Sequence, residues 1–179
     1  MLLGELSEAD AREIAVWRNA PPYDCYDYPA WEQMAREGWA ICDEALRREQ
    51  FRAARADHRS GAELVGYVWF QPAIAAGTDS GTPDSLVLHL GLRPDHCGQH
   101  LSRVFLPLVL AEARRRAGGV PVTLRVRRGN ARAIAAYRRA GFEMTEGTGE
   151  LVTMTADPPA ARPAAPPARR RHASATRSR

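Results

Sequence analysis

Two stretches of this chain gather residues whose types and order could do chemistry. In the first, Leu88-His89-Leu90-Gly91-Leu92 runs into the polar turn Arg93-Pro94-Asp95-His96-Cys97-Gly98-Gln99-His100-Leu101-Ser102. A buried strand that feeds a short loop and then a helix start leaves free backbone N–H groups and the positive end of the helix dipole at one spot. That is an anion site suited to a pyrophosphate. Strand, glycine and helix recur in many α/β proteins, so the feature alone names no ligand. In the second stretch a strand ends at Val126, Asn130 stands where a helix cap belongs, Ile134 and Tyr137 lie one turn apart, and Gly141-Phe142 closes the helix onto the next strand. Read singly, Asn130 is a plain N-cap. Tyr137, read singly, packs its ring while its hydroxyl reaches solvent.

These residues need elements to hold them. Leu2 to Leu6 reads as a short strand. Ser7 and Asp10 then form a capping-box-like helix start, with Ile14 and Trp17 on its apolar stripe. Pro21 to Pro29 is a loop crowded with aromatics. Helices are expected over Ala30 to Glu37 and Asp43 to Arg48, and strands over Phe51 to Asp57 and Glu63 to Phe70, joined by a turn at Arg59-Ser60-Gly61. Residues 75–84 form a Gly/Thr/Asp/Pro loop. Ser85 to Leu92 is a buried strand. Gly98 to Ala117 is a long helix with Leu101, Val104, Phe105, Leu108 and Glu112 along one side, ended by Gly118-Gly119. Pro107 inside it should kink or break it. Val122 to Val126 is a strand, Asn130 to Ala140 a helix, and Leu151 to Thr155 a last strand. The order is that of a mixed α/β domain with helices covering a sheet.

Composition narrows the classes. The 179 residues are 45% hydrophobic and 26% charged, room for one ordinary domain with a core. No apolar run approaches the roughly 18 to 20 residues of a membrane span. Met1 to Leu6 has neither a basic start nor a long apolar run, so a secretory signal is not expected there. Cys25, Cys42 and Cys97 match neither a disulfide framework nor a zinc site. The expectation is a cytoplasmic protein without a metal or a membrane partner. The net charge of +4 is uneven: residues 157–179 hold six Arg against one Asp, and the preceding residues carry about −1. That Pro/Ala/Arg-rich tail lacks aromatic and branched aliphatic residues, so it is read as disordered. Its arginines can touch nucleic acid, but a solvated tail without a specific partner is the expectation. The domain is therefore residues 1–156. A homodimer is left open.

Taken together and in this order, about 30 residues apart, the two stretches resemble the paired motifs of the GNAT superfamily of N-acetyltransferases. Asn130, Ala133, Tyr137, Gly141 and Phe142 match its Asn-x-x-Ala-x-x-x-Tyr-x-x-x-Gly-Phe pattern at each position. The strand, loop and helix of residues 86–102 match its cofactor motif in architecture. There, Cys97 stands where Arg or Gln is commoner, His100 stands at the first pattern glycine, and Ser102 replaces the closing Gly or Ala. The resemblance implies a GNAT (acyl-CoA N-acyltransferase) fold: a mixed central sheet, flanked by helices and splayed between its fourth and fifth strands (residues 85–92 and 122–126). It implies acetyl-CoA as co-substrate and direct attack by a primary amine of a small molecule, amino acid or peptide.

By the same resemblance, the backbone amides of Leu90, Gly91 and Leu92 pair with the pantetheine arm and polarise the thioester carbonyl. Cys97, Gly98, Gln99, His100, Leu101 and Ser102 cradle the pyrophosphate, and Asn130 contacts the cofactor. Tyr137 protonates the departing thiolate, an ordinary tyrosine pKa near ~10 being close to a thiol's ~8.5. Some relatives carry a Glu as base on the strand before the Asn helix; Arg125 stands there instead. His89 is the first candidate for the base, with Asp24 and Asp27 as alternatives. Tyr23, Tyr26 and Trp31, with Tyr28, and the region of Trp69 are expected on the amine side. There rings can wall a cation or form a small core of their own. His100 and the missing carboxylate also fit a second reading, a degenerate domain that binds acyl-CoA or a partner without turnover.

Overall fold

The computed structural model describes residues 1–58, 61–74, 82–147 and 149–157. The turn at Arg59-Ser60, most of the 75–84 loop and the tail from residue 158 lie outside the described residues. The elements run β1 (Leu2–Gly4), α1 (Glu8–Ala15), α2 (Trp31–Glu37), α3 (Glu44–Gln50), β2 (Phe51–His58), β3 (Gly61–Ala73), β4 (Ser85–Leu92), α4 (Ser102–Ala117), β5 (Val122–Arg127), α5 (Ala131–Arg139), β6 (Glu143–Glu146) and β7 (Leu151–Ala156). They make one seven-stranded sheet of order β1-β2-β3-β4-β5-β7-β6. The pairings are antiparallel except β4 with β5.

The splay follows from the register. β4 continues to Leu92 and β5 to Arg127, but they pair only from Leu86 opposite Val122 to Leu88 opposite Leu124. The pairing with β3, by contrast, runs the full length of β4, from Ser85 to Leu92. Strand alternation then sorts the side chains by face. Leu86, Leu88, Val122, Leu124 and Val126 join a core with Phe105, Leu106, Val109, Leu110 and Ala113 of α4. On the opposite face Phe51 and Ala53 pack with Leu6, Ile14, Met34 and Ile41 under α1 to α3, with Tyr67 and Trp69 against them.

Several expectations need correction. The buried stripe of α4 is Phe105, Leu106, Val109, Leu110 and Ala113, and Val104 is 51% exposed. That helix starts at Ser102, because Gly98 and His100 both have positive φ (87° and 59°), which an α-helix excludes. Pro107 does not interrupt it. Pro107 and Arg103 are exposed, so water can satisfy the Arg103 carbonyl that loses its partner. Strand β6, absent from the expected order, is short and pairs with β7 through a register shift at Met144/Glu146. Helix α1 ends at Ala15, before Trp17. Its capping box forms as expected: Asp10 N–H donates to Ser7 Oγ at 3.1 Å, and Ser7 N–H donates to Asp10 Oδ2 at 2.9 Å.

Candidate active site

The open edge of β4 is the centre of the site. Leu86 N–H donates toward Pro121 O, on the β5 side, whereas Arg93 N–H donates to Val65 O, on the β3 side. Backbone groups alternate along a strand. Leu88, Leu90 and Leu92 therefore turn theirs toward β5, and beyond Leu88 no strand meets them. Gly91 turns its groups toward β3, so of the three expected amides only those of Leu90 and Leu92 face the gap. Gly91 matters for another reason. A Cβ there would lie 2.8 Å from the ring of Tyr67, its cross-strand partner.

Past β4 the chain makes a nest of donors. The N–H groups of Gly98, His100, Leu101 and Ser102 have no hydrogen-bond partner among the described residues, and two left-handed residues alternate through the turn. Such a run of free amides at a helix start is an anion cradle. Arg93 anchors the turn by ion pairs to Glu13 (3.3 Å) and Glu63 (3.2 Å), and His96 meets Glu63 at 3.1 Å. Leu90, Gly91, Leu92, Cys97, Gly98, His100, Leu101 and Ser102 line a pocket of about 300 Å³, closed on its other side by Arg132, Ala133, Ala136, Tyr137 and Arg139. Gln99 is not part of its lining: its side chain folds back onto Asp95 O at 2.9 Å. His100 keeps a glycine-like backbone, and its exposed imidazole stands at the pocket.

A second cleft of about 460 Å³ opens on the α1–α3 face and shares Leu90 to Leu92, Cys97, Arg132 and Tyr137 with the first. Tyr137 thus stands at the junction. Burial pushes its hydroxyl pKa well above the usual tyrosine value, with nearby Tyr26 adding to the rise. It keeps its proton at any working pH. Asn130 also lines this cleft. Its Oδ1 accepts from Ala133 N–H (3.1 Å) as the cap of α5, and its Nδ2 donates to the Tyr26 hydroxyl at 3.3 Å.

His89 lies on the cleft wall. Its ring stacks on Trp69 at 4.6 Å, and Trp69 stacks in turn on Phe51 at 5.3 Å. His89 Nε2 is 2.8 Å from Gln71 Oε1. That oxygen only accepts, so Nε2 carries the proton and Nδ1 keeps its lone pair. Burial, with help from the Arg125 charge, lowers the His89 pKa, so the ring is neutral near pH 7. Arg125 follows Leu124, the partner of Leu88, and points to the same face as His89. No carboxylate pairs with Arg125 among the described residues.

The aromatic loop is only partly placed as expected. Tyr23 and Tyr26 line the cleft, but the Arg132 guanidinium covers the Tyr23 ring at 4.7 Å. Trp31 does not line it: α2 packs it against the α1–α3 core, and Arg12 caps its ring at 4.4 Å. Trp69 backs His89 and does not line the cleft itself. Asp24 is exposed and away from the lining, and Asp27 is committed to Asn19, accepting from its N–H (2.9 Å) and its Nδ2 (2.7 Å). Asp27 nonetheless lines the cleft, and its Oδ2 accepts no hydrogen bond among the described residues.

Sequence reasoning named Tyr28 among the loop rings but missed the aromatic box it forms with Trp17, Trp39 and Tyr67. Tyr67 lies 6.2 Å from Trp17 and 5.9 Å from Tyr28, and Tyr28 meets Trp39 edge-on. Burial raises the pKa of both the Tyr28 and the Tyr67 hydroxyl. Trp17 Nε1 is buried without a partner among the described residues. A donor left this way costs about 1–3 kcal/mol. Arg132 and Arg139 beside the amide nest were also missed, although they share α5 with Tyr137. The rings come from separate elements, and no local signal joins them.

The Acetyltransferase (GNAT) family model matches residues 12–142. A search of curated proteins finds no match. Among solved structures, a spermidine N-acetyltransferase chimera of Vibrio cholerae and hSSAT superposes with a TM-score of 0.60 at 16% identity, over 87% of this chain and 94% of that one. The Escherichia coli ribosomal-protein-S18-alanine N-acetyltransferase gives 0.56 at 19% identity, over 92% and 97%. The aminoglycoside acetyltransferase AAC(6')-Ib in complex with coenzyme A gives 0.61 at 18% identity, over 87% and 93%. At these identities the likeness is one of fold. No helix among the described residues is long and apolar enough to cross a membrane.

Proposed function

The chain belongs to the GNAT acetyltransferase family, and from that premise we propose that it transfers the acetyl group of acetyl-CoA to a primary amine of a small molecule, amino acid or peptide by direct attack, without a covalent enzyme intermediate. The observation that carries the reading is the open edge of β4, which leads from Tyr137 to the amide nest. The residues present fit the co-substrate: two strand amides for an extended amide-bearing arm, four loop amides for a pyrophosphate, and Arg132 and Arg139 beside them for further phosphate charge. Once bound, the thioester supplies the activated acetyl group. Leu90 or Leu92 N–H would orient and polarise its carbonyl. Tyr137 would hold a proton toward the sulfur; its raised pKa suits it to hydrogen-bonding the leaving group, and the same low-dielectric surroundings raise a thiol's pKa too. His89 Nδ1 would accept the amine's proton.

A coenzyme A release assay over a broad amine panel tests this. Tyr137→Phe is expected to lower kcat by about 10²-fold, the low end for an acid-base group, with acetyl-CoA binding retained. No release with any amine would sink the proposal. His100 in the amide nest and Arg125 in place of a carboxylate favour a second reading, a non-catalytic acyl-CoA-binding module. It predicts thermal stabilisation by coenzyme A without turnover.

A further inference from the structure

The acceptor cleft has the wrong charge for a polycation. Its lining holds Arg125 and Arg132, a neutral His89, and a single carboxylate, Asp27, which already accepts two hydrogen bonds from Asn19. The amine to be acetylated must lose a proton before it attacks, and a further cation beside it would meet two guanidinium groups against the one carboxylate of Asp27. The cleft does offer donors. Arg125 projects beside His89 with no acidic partner among the described residues. Trp17, on the same lining, holds a buried indole N–H with no acceptor among the described residues. An arginine fork matches a carboxylate in geometry as well as charge, and its planar guanidinium is its best-suited partner.

Resting on the proposed function, we infer that the acceptor is an amine that also carries a carboxylate, which Arg125 binds while the amine faces the open edge of β4. The parallel register sets the scale. Arg125 neighbours His89, and Leu90 lies one residue further along β4, about 3.3 Å per residue. On this reading amine and carboxylate share one skeleton, whose length the α-, β- and γ-amino acid series measures. Arg125 takes a specificity role here, at the position where a carboxylate base would otherwise stand, and by its charge it also keeps the neighbouring imidazole neutral.

The test compares matched pairs: α-, β- and γ-amino acids against their carboxamides, a peptide with a free amino terminus and an acidic first residue, and spermidine. Coenzyme A release is measured for the full chain and for Arg125→Gln and Arg125→Lys. The free acids are expected to exceed their carboxamides at least tenfold in kcat/KM. Arg125→Gln, compared with the full chain at a pH above the acid limb of both, should erase that ratio, and Arg125→Lys should keep most of it. Preference for the acidic peptide over the free amino acids would assign the carboxylate to a polypeptide acceptor and leave the inference standing. Preference for spermidine or for carboxamides, or a ratio unchanged in Arg125→Gln, overturns it without touching the proposed activity. If no amine turns over, calorimetric binding of the same pairs to the coenzyme A-loaded protein gives the ratio directly. Equal affinities there would overturn the inference, whereas a preference for the acid that Arg125→Gln abolishes would uphold it although the activity had failed.

Discussion

Replacing Gly91 by Ala tests the geometry of the open strand directly. The added Cβ would lie 2.8 Å from Tyr67 Cε1 and 3.4 Å from both its Cζ and its hydroxyl oxygen. Reaching ordinary contact at about 3.4 Å requires Gly91 and the ring to part by about 0.6 Å. The ring has little room to yield, because Trp17 and Tyr28 flank it. Overpacking of this kind costs about 1–3 kcal/mol. At about 2 kcal/mol, and roughly 2–4 °C per kcal/mol for a chain of this size, Tm should fall by about 4–8 °C. Acetyl-CoA affinity should fall as well, because any shift of Gly91 moves the Leu90 and Leu92 amides on either side of it. Thermal melts with and without acetyl-CoA measure both effects. In a Tyr67→Ala background the clash is gone, so the double-mutant cycle should show a coupling close to the whole penalty. An unchanged Tm for Gly91→Ala, or the same fall with and without Tyr67, would refute the reasoning.

Other expectations follow from the same geometry. If His89 accepts the amine's proton, the acid limb of kcat/KM lies below the ordinary histidine value of 6.5, and Arg125→Gln, which removes a positive neighbour, moves it upward; a limb that stays in place excludes His89 as the titrating group. His100→Gly relieves a left-handed residue at a cost in chain entropy, for a net gain of about 0.5 kcal/mol in chemical denaturation. Acetyl-CoA affinity should not fall, since the loop's grip is through main-chain amides; a loss would show that the imidazole itself holds phosphate. Burial works to raise the Asp10 pKa, but hydrogen bonds from Ser7 and the Arg55 ion pair at 2.7 Å outweigh it and hold the carboxyl low. The stability it contributes is complete above the unfolded carboxylate value near ~3.9 and is lost as pH falls through the lower folded one. Asp10→Asn should cost about 1–3 kcal/mol at pH 7 and progressively less in acid.

What the sequence made legible is what short-range spacing encodes. Asn130 caps α5 three residues before Ala133, Tyr137 follows on the same helix, and Ser7 pairs with Asp10; each depends on one local turn. The extents of β4, β5 and β7 were legible because continuous apolar or alternating runs mark them. Strand β6 was not, since Glu143 to Glu146 has little apolar content and exists through pairing with β7. The strand, loop and helix order of residues 86–102 was readable in outline, but which strand amides face the gap depends on hydrogen-bond phase, and sequence does not print that. Trp31 and Trp69 were placed on the amine side by the resemblance alone. Tyr67 reaches the cleft because β3 lies beside β4, Trp17 because the chain after α1 packs against it, and Arg125 meets His89 only through the parallel register. Such juxtapositions come from topology.

The three-residue contact between β4 and β5 also divides the molecule. On one side of this seam stand β1 to β4, and on the other β5, β7 and β6, joined here by few backbone hydrogen bonds. Helix α4 spans the gap by packing against both. A ligand arm laid along Leu90 and Leu92 and held by α5 would act as the strand segment the sheet lacks. Binding would then be a suture as well as a recognition event, and the stiffness of the whole domain would depend on whether that arm is in place.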